Sequence, residues 1–381
     1  MFPRKIELYL ESLAGKYRLI TLLGPRQSGK TTLARHYFKG YEYISFEDPD
    51  TRSRAEQDPR GFIAQMKCRT IIDEVQRFPD FISYLQGEVD KKDPEQRWVL
   101  TGSNSLLLSN KISQSLAGRS RILYILPLQR SEIPAPMQPQ TINAALIYGN
   151  YPRVYDEGLQ PTEWYGDYFQ TYVEKDVRNL TNINNLNSFD RFVRLLAGRV
   201  GQLFNSASIG NDTGISAPTA KSWLNLLEAS FIAFTLRPHF KNFSKRLIKS
   251  PKIYFYDTGL VCYLLRIRDV EQLNHHPLRG AIFENWVISE YMKQAYNRGK
   301  DPDLYFWRDQ TGHEIDLVID KGLYLDLIEI KSSQTFNPSF CQNIDWLNKL
   351  QHHKGGQIVY GGEQVFSMKD IQVTSWNQLA D

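Results

Sequence analysis

The sequence predicts an α/β protein built from several units, and three observations carry that prediction. Short apolar runs alternate with helical patterns through the first third, the arrangement of a parallel sheet covered on both faces. A glycine-rich phosphate-binding loop follows the first of those runs. The chain has 381 residues, more than one ordinary domain of about 150. Hydrophobic residues at 41% and charged residues at 23% match ordinary globular usage, which excludes a mostly disordered or fibrous chain.

Taken in order, residues 1–14 read as an amphipathic helix carrying Arg4, Lys5, Glu7 and Glu11. A signal peptide needs an uninterrupted apolar stretch there, so secretion is not expected. No apolar run reaches the roughly 18 residues that span a bilayer, so no membrane partner is expected either. Cys68, Cys262 and Cys341 are scattered without metal-ligand spacing, which fits a reducing cytoplasm. Strands are expected at 18–23, 41–46, 70–73, 98–101 and 121–126, with helices between them. Pro127, Pro134, Pro136 and Pro139 then stop both helix and central strand. The expected units are therefore 1–138, a helical and aromatic connector 139–188, a third unit 189–268 and a fourth 269–381.

The net charge of +4 conceals an uneven distribution. Residues 181–260 hold 10 Lys+Arg against 4 Asp+Glu, and residues 261–381 hold 12 against 16. A basic middle and an acidic end are read from this.

Gly24-Pro25-Arg26-Gln27-Ser28-Gly29-Lys30-Thr31 fits the phosphate-loop pattern G-x-x-x-x-G-K-[ST]. The glycines let backbone N–H groups converge on a phosphate, and the helix opening with Thr32 adds its positive end. Lys30 can reach the β- and γ-phosphates, and the Thr31 hydroxyl can ligate Mg²⁺. Residues 70–74 form an apolar strand ending in Asp73 and Glu74. Asp73 can hold the Mg²⁺ and Glu74 can orient an attacking water. Asn104, at the tip of the next strand, suits γ-phosphate sensing. Arg119 can supply a cationic finger in cis or to a neighbouring subunit; the alternative is a solvated arginine.

These motifs, with Leu100-Thr101-Gly102-Ser103, Leu116-Ala117-Gly118-Arg119 and Tyr148-Gly149-Asn150-Tyr151-Pro152, resemble a prokaryotic family of AAA+-type ATPases. That family carries a conserved C-terminal region of unknown function. It usually has two small residues where this chain has Gly149-Asn150, a departure that leaves the ATP site untouched. The resemblance implies a P-loop NTPase unit at 1–138, with ATP and Mg²⁺ as ligands and ring or dimer formation among relatives, so a homo-oligomer is an open expectation.

Residues 205–229 read as two helices joined by a tight turn, with Ser216 as N-cap and Pro218 in the first turn. Trp223, Leu226 and Leu227 form the apolar face, leaving Thr219, Lys221, Ser222 and Asn225 outward. The runs 231–237 and 252–256 fit a wing, joined by a connector carrying Lys241, Lys245, Arg246 and Lys249. Such a winged-helix-like unit, which the resembled family has, docks on duplex or branched DNA through phosphates and the major groove. The alternative is a structural lid or a protein contact.

At the acidic end, Asp316 lies on an alternating strand, and Glu329 and Lys331 share one face of the next. Asp316 and Glu329 can share Mg²⁺ beside Lys331, with Glu284 completing the shell from a helix. This is similar to the PD-(D/E)XK restriction-endonuclease-like fold, with 12 residues between the aspartate and the glutamate. The reading is a cytoplasmic ATPase that works on DNA, with Mg²⁺-dependent cutting by Asp316, Glu329 and Lys331. The alternative is a nucleotide-gated signalling or defence switch whose C-terminal half binds a protein partner without nuclease activity.

Overall fold

Successive side chains of a strand point to opposite faces of its sheet, and in the central N-terminal strands both faces are apolar. β1 (Leu19–Gly24) sends Leu19 and Leu23 into one layer and Ile20 and Leu22 into the other. The computed structural model describes residues 1–13, 15–91, 93, 95–103, 116–173, 186–239, 250–309, 311–351 and 355–379. Beside β1 it has β2 (Glu42–Ser45), β3 (Arg69–Asp73), β4 (Arg97–Ser103) and β5 (Ser120–Tyr124). All pair in parallel, in the order β2-β3-β4-β1-β5.

α1 (Ile6–Leu13) and α2 (Lys30–Tyr37) cover one face around Ile6, Leu33, Ile71 and Val99. α3 (Pro49–Gln57), α4 (Pro59–Gln65) and α5 (Phe81–Asp90) cover the other around Phe46, Ile72 and Phe81. The strand order sets the carboxyl ends of β3, β4 and β1 side by side, the usual ligand edge of an open α/β sheet. α1 begins at Ile6, later than expected. Glu7 Oε1 accepts from the Arg4 N–H at 3.2 Å, and the Arg4 side chain turns inward at 6% exposure. Ala14 lies outside the described residues.

Past the prolines come α6 (Ile142–Tyr148), α7 (Pro152–Asp156) and α8 (Pro161–Tyr168). Tyr151, Trp164, Tyr165 and Tyr168 bury their rings together, and the Tyr151 and Tyr168 hydroxyls bond at 2.8 Å. Then follow α9 (Leu186–Ala197), α10 (Ser206–Thr213) and α11 (Ala217–Ala229). Ser216 caps α11 by accepting from the Thr219 N–H, as its sequence position implies. β6 (Ala233–Pro238) and β7 (Lys252–Phe255) form an antiparallel pair, and Leu203 bridges to Lys252. Lys241, Lys245, Arg246 and Lys249 lie outside the described residues.

That pair does not stand apart. α12 (Thr258–Leu264), α13 (Val270–Asn274) and α14 (Arg279–Asn297) lead to β8 (Leu304–Arg308), which pairs in parallel with β6. The sheet continues through β9 (Glu314–Asp320), β10 (Leu325–Lys331), β11 (Gly356–Tyr360), β12 (Phe366–Met368) and β13 (Ile371–Ser375), with α15 (Gln342–Gln351) between β10 and β11. Its order is β12-β13-β11-β10-β9-β8-β6-β7. Tyr151, Phe189, Trp223, Phe255, Phe283 and Phe306 belong to one buried cluster. One buried core therefore continues across the boundaries expected at 188/189 and 268/269, because a two-stranded pair is too small to bury its own face.

Asp257 ties the connector to this core. It caps α12 by accepting from the Gly259 N–H at 2.9 Å, and its other oxygen accepts from the Asn150 N–H at 2.6 Å. Gly149 has φ 60°, and a Cβ there would lie 2.1 Å from Tyr165 Oη and 2.3 Å from Asp257 Oδ1. Gly149→Ala is expected to lower stability by about 1–3 kcal/mol, seen as a lower urea midpoint at unchanged slope. An unmoved midpoint would show that the contact yields freely.

Candidate functional site

The phosphate-loop residues connect β1 to α2 as their spacing requires. A Cβ on Gly24 would lie 2.1 Å from the Ile125 carbonyl oxygen, so the neighbouring chain alone demands the first glycine. Gln27 and Gly29 are left-handed at φ 60° and 93°, and strain of the kind Gln27 holds gathers at functional sites. Arg26 and Gln27 are partly buried, Pro25 is buried, and Thr32 is exposed on the first turn of α2. Lys30 is buried and its ammonium donates to the Pro25 carbonyl at 2.7 Å, which closes the loop on itself. Ser28 Oγ is buried without a partner among the described residues, an arrangement that costs free energy until something bonds to it.

The carboxyl end of β3 supplies the acidic partner. Thr31 Oγ1 donates to Asp73 Oδ1 at 2.8 Å, and Thr101 Oγ1 donates to the same oxygen. Tyr43 Oη donates to Asp73 Oδ2 at 2.8 Å; burial and that bond push its hydroxyl up to about 12. Hydroxyl and carboxylate oxygens are the hard donors Mg²⁺ takes, so Thr31 and Asp73 fit that ion. Glu74 stands at φ 57°. Burial raises its carboxyl pKa against the pull of Lys30. Gln76 Nε2 donates to Glu74 Oε2 and to Ser103 Oγ.

Asn104 lies outside the described residues. Arg119 is held in a fork by Asp90, Nε to Oδ1 at 2.6 Å and Nη2 to Oδ2 at 3.0 Å. That pairing corrects the finger in cis: its hydrogen bonds to described residues go to Asp90 and its own turn. Tyr43 and Gln76 were given no role in the sequence reading, and Thr101 stood in a strand-tip motif without being joined to Asp73. Gln76, close behind Asp73 and Glu74, left a local signal, and Tyr43 left none.

At the acidic end, β9 and β10 bring Asp316, Glu329 and Lys331 together. Lys331 Nζ lies 3.3 Å from Asp316 Oδ2 and 2.9 Å from Glu329 Oε2. Asp316 Oδ2 accepts from the Ile330 N–H at 2.8 Å, and Asn343 Nδ2 donates to Glu329 Oε1 at 2.8 Å. Burial and then the Asp316 charge push Glu329 up to about 9, and the two carboxyls share a hydrogen bond. Burial opposes the charge of Asp316, but Lys331 and the bond from Glu329 outweigh it and hold its pKa low.

Glu284 does not join this pair. Its Oε1 accepts from Tyr254 Oη at 2.5 Å and from Lys252 Nζ at 3.2 Å. Among the described residues no three His, Cys, Asp or Glu side chains are grouped to hold a metal ion. Two touching carboxylates still fit a divalent cation by charge and donor type.

The raised Glu329 carboxyl adds stability below the ordinary carboxylate range, and that contribution is lost as pH rises through about 9. In metal-free protein, the urea midpoint should therefore fall more steeply from pH 5 to 9 in wild type than in Glu329→Gln. Parallel curves would show that Glu329 titrates normally.

Residues 16–134 match the family model described as an AAA domain. Residues 139–271 and 279–379 match two domains of unknown function, DUF8612 and DUF4143. An uncharacterised protein of Mycobacterium tuberculosis is 31% identical over 360 residues, covering 93% of this chain and 79% of that protein. One from Haemophilus influenzae is 25% identical over 309 residues, covering 72% of this chain and 74% of that protein. Among solved structures, the chain is similar to a Walker-type ATPase of Pyrococcus abyssi at 14% identity and a TM-score of 0.46, covering 68% of this chain and 94% of that one. A RuvB protein of Thermotoga maritima matches at 18% identity and a TM-score of 0.32, covering 61% and 87%. With its phosphate loop inside the AAA match, this chain belongs to the family of the Mycobacterium tuberculosis protein, a P-loop ATPase-like family whose middle and C-terminal regions match domains of unknown function.

Proposed function

We propose that this chain binds and hydrolyses ATP and acts on DNA. The observation that carries the nucleotide part is the union of Thr31 and buried Lys30, just past β1, with Asp73 at the carboxyl end of β3, the two strands that flank β4. Lys30 exchanges the Pro25 carbonyl for a phosphate oxygen, and the loop N–H groups take the remaining charge. Thr31 and Asp73 would hold Mg²⁺, which would supply charge neutralisation at the transferring phosphate. Tyr43 and Thr101 keep Asp73 pointed at Thr31. Glu74 accepts the proton of the attacking water, with Gln76 fixing its carboxylate.

The DNA part is supported by the three helices α9 to α11 followed by the β6–β7 pair, the order of a winged helix. Lys221, Ser222 and Asn225 are exposed on α11, the helix that would meet the major groove. The restriction-endonuclease-like part is supported by α14, antiparallel β8, β9 and β10, then α15 and parallel β11. Asp316 sits on β9, and Glu329 and Lys331 sit on β10. In this reading Lys331 orients water beside the two carboxylates.

A second reading, a nucleotide-gated switch that binds a protein partner and does not cut DNA, is favoured by one observation. Glu284 is committed to Lys252 and Tyr254 rather than to Asp316 and Glu329.

Lys30→Ala should abolish nucleotide binding, whereas Glu74→Gln should retain binding and lower kcat about 10²–10⁴-fold, both read by nucleotide titration and phosphate release. Wild-type protein that neither binds nor hydrolyses ATP would sink the ATPase reading. DNA affinity should fall steeply between low and physiological salt. Asp316→Ala should lose Mg²⁺-dependent cutting and keep ATPase activity. No cleavage of linear, nicked or branched DNA by wild type decides for the switch.

A further inference from the structure

Lys252, the first residue of β7, is the hairpin strand's contribution to the C-terminal carboxylates. Its side chain is 4% exposed and its stem passes Phe306, with the ammonium 5.5 Å from that ring centroid. The ammonium lies 3.2 Å from Glu284 Oε1 and touches Glu314 Oε1. Arg308 holds the other Glu314 oxygen at 3.3 Å. Across the cluster, Lys331 serves Asp316 and Glu329. Four carboxylates are thus divided into two pairs, each with its own ammonium.

This division has a direct chemical consequence. A divalent cation takes carboxylate oxygens, and Glu284 Oε1 already binds an ammonium supplied by the chain. An ammonium between buried carboxylates replaces the water those oxygens lost on folding, so it is held strongly in place. β7 is held on both edges, by β6 on one side and by the 201–204 segment on the other, where the Gly201 N–H donates to the Ile253 carbonyl at 2.8 Å and Leu203 bridges to Lys252. The Lys252 stem therefore starts from a fixed backbone.

We infer that Lys252 is a resident counter-ion that withholds Glu284 from a divalent cation at Asp316 and Glu329, so that the cluster offers a third carboxylate only when that ammonium leaves it. This rests on the reading of Asp316 and Glu329 as a metal pair.

The test is calorimetric titration of Mn²⁺ into the nucleotide-free full chain. Wild type should bind weakly, lose affinity in Asp316→Asn, and stay unchanged in Glu284→Gln. Lys252→Met, which keeps the stem without the charge, should bind at least ten-fold tighter. Adding Glu284→Gln should cancel that gain, and Lys252→Arg should behave as wild type. Affinity that falls in Glu284→Gln alone overturns the inference, because Glu284 would then already be a ligand. The same comparison decides the matter where Lys252→Met fails to fold. Affinity that depends on Asp316 but not on Lys252 overturns this inference alone. Indifference to Asp316→Asn in every background overturns the metal pair beneath it as well.

Discussion

Arg4 and Glu132 form a buried ion pair at 3.2 Å, with side chains 4% and 0% exposed, between segments 128 residues apart. Taking two such charges out of water costs more than their attraction returns unless every remaining lone pair and proton is bonded. Here they are. Arg4 donates to the Ser28 carbonyl and to the Leu126 carbonyl, both at 2.8 Å. Glu132 accepts from the Lys5 and Gln129 N–H groups, both at 2.7 Å, and from Asn297 at 3.4 Å. The pair therefore fixes the phosphate loop from beneath and the Pro-rich stretch from one side. Through Asn297 it also reaches the last residue of α14.

α14 extends that connection. Glu290 accepts from the Arg130 N–H at 2.8 Å and pairs with Lys293 at 2.8 Å, while Asn297 bonds Gln129 at 3.2 Å. Glu284 lies nearer the other end, about 20 Å away at 1.5 Å per residue. A single helix thus touches the chain just past the parallel sheet at one end and the carboxylate cluster at the other. Both carboxylate sites are bonded by groups from other strands: Asp73 by hydroxyls of Tyr43 and Thr101 on the strands flanking β3, Glu284 by Lys252 and Tyr254 on β7. Each depends on strand register, so a slip of one residue would turn these side chains to the wrong face.

Much of this was legible in order along the chain. The three central parallel strands, β3, β4 and β1, were visible as apolar runs because burial on both faces leaves no polar alternation to obscure them. Ser216 was visible as a cap because capping is local, acting over three residues. Asp316, Glu329 and Lys331 were visible because adjacent antiparallel strands with fixed periodicity place them together. Arg4 was misread as the solvated face of an amphipathic helix, since its partner lies far along the chain. Lys252 was counted among the basic residues of a nucleic-acid segment, yet it is buried among carboxylates.

By itself the sequence determined the phosphate loop, the acidic strand ends and the alternation that builds a parallel sheet, all of which depend on neighbours within a few residues. Tertiary structure alone decided that the β6–β7 pair joins the C-terminal sheet, that Arg119 belongs to Asp90, and that Glu284 faces Lys252 rather than Asp316 and Glu329. Those outcomes turn on which buried charge meets which counter-charge. The desolvation that enforces the choice exists only once the chain has closed around the pair.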